Sequence, residues 1–195
     1  SDTSSGTIVS GETRPTTITV ALPEGSLSNG GKDVTVTETL PAGEDYVPGS
    51  FTYTMGSGVN SSAVTLAEPT VAKNTDGTTT LTFDLGQKVT NANTDATGSI
   101  ALTYTGYYGE NNAPADTRQI TTSAVLNYSA LNGTGTTQTA RTSGPATATV
   151  TERTPRLAET ITDNSGGTSL YSGEQVTYTI TLTNTGKVTA YDITH

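Results

Sequence analysis

The chain has 195 residues and no cysteine, with 9 basic against 18 acidic side chains and a net charge of −9. The missing cysteine excludes a disulfide framework and thiolate metal sites. The acidic excess, spread along the chain without a Lys/Arg block, argues against a nucleic-acid partner or an anionic membrane surface. No apolar run approaches the roughly 20 residues of a membrane-spanning helix. No charged n-region followed by an apolar h-region heads the sequence, as expected of a mature or excised piece. At 31% hydrophobic the core must be thin. The apolar residues are mainly Val, Ile, Leu and Tyr in a regular pattern, which separates the chain from disordered sequences. Its length allows one domain of about 100 to 150 residues plus a remainder.

The pattern is alternation, taken here from the N-terminus. Residues 16–22 set Ile18, Val20 and Leu22 on one face, and residues 34–40 repeat the period. It returns at Leu81, Phe83 and Leu85, at Ile100, Leu102 and Tyr104, and more loosely between Ile120 and Tyr128. From Val176 it is strictest: Val176, Tyr178, Ile180 and Leu182 face one way and Thr177, Thr179, Thr181 and Thr183 the other. No stretch of ten residues has helical spacing. The 45 threonines bias the chain towards sheet, because a β-branched side chain loses χ1 freedom in a helix and fits a pleated surface. Turn chemistry separates the strands at Pro41-Ala42-Gly43, Val47-Pro48-Gly49-Ser50, Asn74-Thr75-Asp76-Gly77, Asn132-Gly133 and Ser143-Gly144-Pro145. Many short strands with polar outer faces predict an all-β fold, an antiparallel β-sandwich.

An internal repeat organises the chain. Residues 2–12 align, with one insertion, on residues 163–174, and the match then runs ungapped. Thr17-Ile18-Thr19-Val20 falls on Thr179-Ile180-Thr181-Leu182, and after a shorter loop Asp33-Val34-Thr35 falls on Asp192-Ile193-Thr194. The period of about 160 residues is that of a domain. The sequence therefore predicts one complete unit, residues 1–153, followed by a linker and the first strands of a second, incomplete unit, residues 154–195. The junction is placed at Glu152-Arg153-Thr154-Pro155-Arg156, read as charged surface positions around a proline.

These residues also carry a resemblance. Ser172-Gly173-Glu174-Gln175-Val176-Thr177-Tyr178-Thr179-Ile180-Thr181-Leu182-Thr183-Asn184-Thr185-Gly186, continuing to Ala190-Tyr191-Asp192-Ile193-Thr194, looks like the opening of the surface-protein repeat known as domain of unknown function eleven. In that family's order follow Thr39-Leu40-Pro41-Ala42-Gly43, Tyr46-Val47-Pro48-Gly49-Ser50, Leu81-Thr82-Phe83-Asp84-Leu85-Gly86 and Ile100-Ala101-Leu102-Thr103-Tyr104. The resemblance implies tandem Ig-like sandwiches in large bacterial and archaeal surface proteins, used as spacers, stalks or filament parts, with no single activity. Some relatives carry a Lys–Asn isopeptide bond made beside a buried carboxyl group. Its lysine would be expected near residues 157–161 and its asparagine near residues 122–125. Glu159 and Thr122 or Ser123 stand there instead, so the crosslink is not expected. Lys32, Lys73, Lys88 and Lys187 sit beside turn residues and read as solvated.

Catalysis finds little support in the residues. A Ser/His/Asp constellation needs a base beside its nucleophile, and the sole histidine is His195. Paired carboxylates such as Glu44 and Asp45 read as solvated charges, and Asn29-Gly30-Gly31 as a turn. No cofactor is expected. Calcium is the one ligand with a physical case, through oxygens of Asn91, Asn93, Asp95 or Asp163, although Asn and Asp more often build turns by local hydrogen bonds. Tyr104, Tyr107 and Tyr108 could stack on a sugar, but alternation places Tyr104 in the core. Asn60, Asn127 and Asn132 head Asn-x-Ser/Thr triplets open to glycosylation.

The sequence thus predicts an extracellular, cell-surface structural module, a stalk of an adhesin or a filament subunit, and no enzyme. Its expected partners are neighbouring repeats of the same chain or identical subunits, the latter through strand donation from residues 157–195. A sugar- or ice-binding module is the alternative, the latter through the threonine row 177 to 183. A glycan screen without hits and a blank ice-recrystallisation assay would sink it. Strand twist already disfavours a flat ice-matching array.

Overall fold

The structure, a computed structural model, describes residues 6–22, 25–26, 34–56, 59, 65–86, 90–91, 97–109, 117–131, 138–190 and 192–194. Its strands are β1 (Gly6–Val9), β2 (Thr13–Leu22), β3 (Gly25–Ser26), β4 (Val34–Leu40), β5 (Glu44–Tyr46), β6 (Thr52–Met55), β7 (Thr70–Lys73) and β8 (Thr79–Gly86). They continue as β9 (Thr90–Asn91), β10 (Gly98–Tyr108), β11 (Thr117–Leu131), β12 (Gln138–Thr142), β13 (Ala146–Arg153), β14 (Leu157–Asp163) and β15 (Tyr178–Asn184). No helix occurs among the described residues.

Two sheets form an Ig-like sandwich. One runs β1-β13-β11-β4-β8-β7 with β12 also on β11; the other runs β2-β10-β5 with β6 also on β10. Between them lie the rows that period-two alternation marks: Ile18, Val20 and Leu22 of β2, Val34, Val36 and Leu40 of β4, Leu81, Phe83 and Leu85 of β8, and Ile100, Leu102 and Tyr104 of β10. Phe83 and Tyr104 meet with ring centroids 6.1 Å apart, and Tyr46 meets Tyr104 at 5.9 Å, adding aromatic packing to the area buried. A smaller cluster of Ile8, Tyr108, Ile120 and Val150 closes one end.

The structure departs from the sequence reading in two places, the direction of one strand pairing and the burial of two glutamates. Among the described residues all pairings are antiparallel except one: β1 runs parallel to β13, with Gly6 facing Val150 and Val9 facing Arg153. Glu44 is buried, as is Glu152 at the junction, so neither is the solvated charge its residue type suggested. Glu38 is buried too, on the inward face of β4 between Leu81 of β8 and Ala124 of β11.

Beyond Arg153 the chain makes a ribbon of β14 and β15, from Leu157 facing Asn184 to Asp163 facing Tyr178. Every residue of both strands is exposed. Thr185 N–H donates to Arg156 C=O at 2.7 Å and Lys187 N–H to Thr154 C=O at 3.3 Å, extending the pairing into the junction. Here the chains are so close that a Cβ at Gly186 would lie 2.4 Å from the Arg156 nitrogen.

Candidate functional site

Two buried glutamates, Glu152 and Glu44, flank the place where β13 and β11 meet the β4–β5 turn. Arg118 of β11 donates through Nε to Glu152 Oε2 at 2.8 Å, and its Nη2 lies 2.5 Å from the same oxygen. Its Nη1 donates to the Ala42 carbonyl at 2.9 Å. Gly43 is needed for this approach: a Cβ there would fall 2.5 Å from Nη1, and the residue has a φ of 91°. One guanidinium therefore joins β11, β13 and the turn leading into β5. Burying such a pair brings little net stability, but removing one partner leaves the other charge without compensation.

Glu44 continues the cluster into the second sheet. It faces Tyr108 of β10, and its Oε1 occupies the space a Cβ at Gly106 would need, 2.7 Å away. Burial pushes the Tyr108 hydroxyl well above the usual tyrosine range, and the Glu44 charge pushes it further. Tyr46 is pushed up to about 12, first by burial and then by donating its hydroxyl to the Glu68 carboxylate. These contacts tie strands together across both sheets and hold their groups in place.

The residues singled out by sequence are scattered. Asp163 is exposed and accepts from the Ser165 N–H at 2.8 Å and from its hydroxyl, a local turn that lowers its pKa. Asn164 Oδ1 accepts from Thr177 N–H at 3.0 Å across the ribbon. Asn91 lies in β9 opposite Gly25. Asn93, Asp95, Asn60, Asn132, Lys32, Lys88 and His195 lie outside the described residues. Asn127 is half-buried in β11, its Nδ2 donating to Thr37 Oγ1 at 3.3 Å and its Oδ1 accepting from Thr142 at 3.2 Å. Tyr104 and Tyr108 are core residues, and Tyr107 is exposed. Among the described residues no group of three or more His, Cys, Asp or Glu is placed to hold a metal.

At the expected crosslink positions, Glu159 is exposed on β14 and Thr122 is buried on β11, on the face that also carries Ala124 beside Glu38. Lys73 is exposed and paired with Asp45, and Lys187 is exposed. The threonines Thr179, Thr181 and Thr183 are exposed on the two-stranded ribbon.

The two aligned segments close the same kind of turn. Glu12 N–H donates to Val9 C=O at 3.1 Å, and its Oε2 accepts from Val9 N–H at 3.1 Å. Glu174 N–H donates to Tyr171 C=O at 3.1 Å, and its Oε2 accepts from Tyr171 N–H at 2.7 Å. The glycine inside each turn, Gly11 or Gly173, has a left-handed φ of 89° or 95°.

No protein-family model matches the chain, and no curated protein matches it. Among solved structures, BcpA, the major pilin subunit of Bacillus cereus, is similar at 16% identity over 93% of this chain and 52% of its own, with a TM-score of 0.49. The chain thus spans about half the length of that pilin. The group B streptococcus pilus 2b backbone protein is similar at 14% identity over 91% of this chain and 76% of its own, with a TM-score of 0.40. ACE19, the collagen binding subdomain of the Enterococcus faecalis surface protein ACE, is similar at 18% identity over 76% of this chain and 93% of its own, with a TM-score of 0.38. At these identities and scores no residue role and no activity passes to this chain.

Proposed function

We propose that this chain is a structural module of an extracellular surface protein, one Ig-like unit followed by the opening strands of a second, and that it works as a spacer in a stalk. The observation that carries this reading is the repeated turn, in which Gly11–Glu12 and Gly173–Glu174 adopt the same conformation and the same bonds ahead of matching strands. A sequence that rebuilds its first turn and strand about one domain later is built as an array. The setting, a cell surface, is what the likeness of residues 172–194 to domain of unknown function eleven implies, although no family model matches the chain.

The second unit then explains the bare ribbon. Tyr178, Ile180 and Leu182 are exposed, at a cost of roughly 1.5 to 3 kcal/mol for each large side chain left in water. Two strands cannot bury a face by themselves. In the array, further strands of the second unit cover that row.

Light scattering over a concentration series, combined with limited proteolysis, tests the proposal. A monomer cut within residues 157–195, leaving the first unit whole, supports a tandem repeat. A ladder of oligomers supports the filament form of the same reading, with residues 157–195 completing a neighbour. A monomer in which residues 157–195 resist cleavage as long as the first unit would overturn it.

A further inference from the structure

The first and last strands of the sandwich are neighbours and run the same way, so the chain comes into the β1–β13 ladder beside Val150 at Gly6 and leaves it beside Val9 at Arg153. Ser10 N–H donates to Arg153 C=O at 3.1 Å. By the two-residue alternation of a parallel ladder, this sets the N–H and C=O of Ile8 on β13 as well. The Ile8 side chain is buried in one cluster with Tyr108, Ile120 and Val150. Behind β1, β13 is held by an eight-residue register with β11, from Thr117 facing Arg153 to Ala124 facing Ala146, and by the Arg118–Glu152 pair.

We propose that the β1–β13 ladder is the tension-bearing clamp of this module, a further inference that rests on the stalk reading, since only a chain pulled from both sides would use it. Tension draws β1 back by Gly6 and draws β13 forward past Arg153. The two strands must slide along each other, so every bond of the ladder and the seat of Ile8 are strained together. A load across the ladder would instead open the bonds one after another from Gly6. The β14–β15 ribbon has the opposite arrangement: the chain comes in at Leu157 and leaves at Asn184, which face each other, so tension unzips it. Forced opening is governed by the unfolding barrier, and the module therefore has a strong element and a weak one in series.

The chain is free of cysteine, so introduced thiols define the points of attachment. Single-molecule force measurement on the full chain between the N-terminus and Leu157→Cys loads the ladder in sliding. Measurement between the N-terminus and Thr121→Cys, an exposed position on β11 one residue from the level of Gly6, loads it in peeling. The expected rupture force is about two- to three-fold higher in sliding, because several ladder bonds share the load instead of one. Ile8→Pro, which removes a ladder donor, should bring the sliding value down to the peeling value. Equal forces in the two directions in the unsubstituted chain would overturn the clamp, whatever Ile8→Pro does to folding. That result would leave the stalk reading standing, which mass and proteolysis decide separately.

Discussion

The chain contains the same local structure twice, once inside a sandwich and once outside it. Ile8, Thr16, Ile18 and Val20 of the sandwich are 3%, 0%, 3% and 5% exposed, and the residues aligned with them, Leu170, Tyr178, Ile180 and Leu182, are 46%, 66%, 44% and 41% exposed. The turn between the matching segments is nevertheless the same in both, with a left-handed glycine and a glutamate bonding back to the residue three before it. The difference teaches which forces act at which range. A glycine free to take positive φ and a carboxylate three residues from an N–H need no neighbour in space, so they form wherever the sequence places them. Alternation only divides a strand into two faces; β10, β4 and β8 make one of those faces a core.

The largest expected effect sharpens the contrast in charge. Arg118→Met removes the partner of buried Glu152 and should cost about 3–5 kcal/mol in chemical unfolding, and Glu152→Leu added to it should recover much of the loss. Glu159→Gln, on the exposed ribbon, should move the midpoint by less than about 0.5 kcal/mol. Next comes Ile18→Ala, expected to cost about 2–5 kcal/mol, because a cavity opens in packed surroundings. Its counterpart Ile180→Ala should stay within about 0.5 kcal/mol. An equal loss at both positions would break the comparison and mean that the ribbon is packed in solution.

A third expectation concerns pH. Tyr46 and Tyr108 hold their protons in the folded state to higher pH than an unfolded tyrosine does. Their contribution is therefore complete below the ordinary tyrosine value near 10 and is lost as pH rises from there through 12. Each adds at most about 1.4 kcal/mol of destabilisation per pH unit in that window. Urea midpoints between pH 9 and about 11.5 should fall less steeply in Tyr46→Phe and Tyr108→Phe than in the unsubstituted chain.

Much of the fold was legible because alternation reports burial one strand at a time. Val34, Val36 and Leu40 were read correctly from the pattern, and the same pattern already put Glu38 in their row. Residue type outweighed position in the reading of Glu44 and Glu152, although Glu152 shares the inward row of Ala148 and Val150. A glutamate in phase with an apolar row is the signal that finds such groups; its partner Arg118 lies 34 residues away in sequence and carries no such mark. The parallel pairing of β1 with β13 was not legible, since periodicity names faces and never partners. Asp163 shows the reverse case, where local chemistry is enough: an Asp two residues before a Ser closes its own turn.

The smallest effect tests the turn itself. Glu12→Ala removes the acceptor of Val9 N–H, and Glu174→Ala removes the acceptor of Tyr171 N–H, each a bond to a charged group near the surface. The first turn joins β1 to β2 and so joins the two sheets; losing its bond should lower the stability of the whole unit by about 0.5–1.5 kcal/mol. The second joins strands whose side chains face water, and its loss should leave the global midpoint in place while the Tyr171 amide exchanges faster. Amide exchange read at both positions separates the cases. If Glu174→Ala also accelerated exchange at Val9, the two copies of the turn would be coupled, and the second would have to rest on the first unit through contacts stronger than the junction at Thr154 and Arg156 provides.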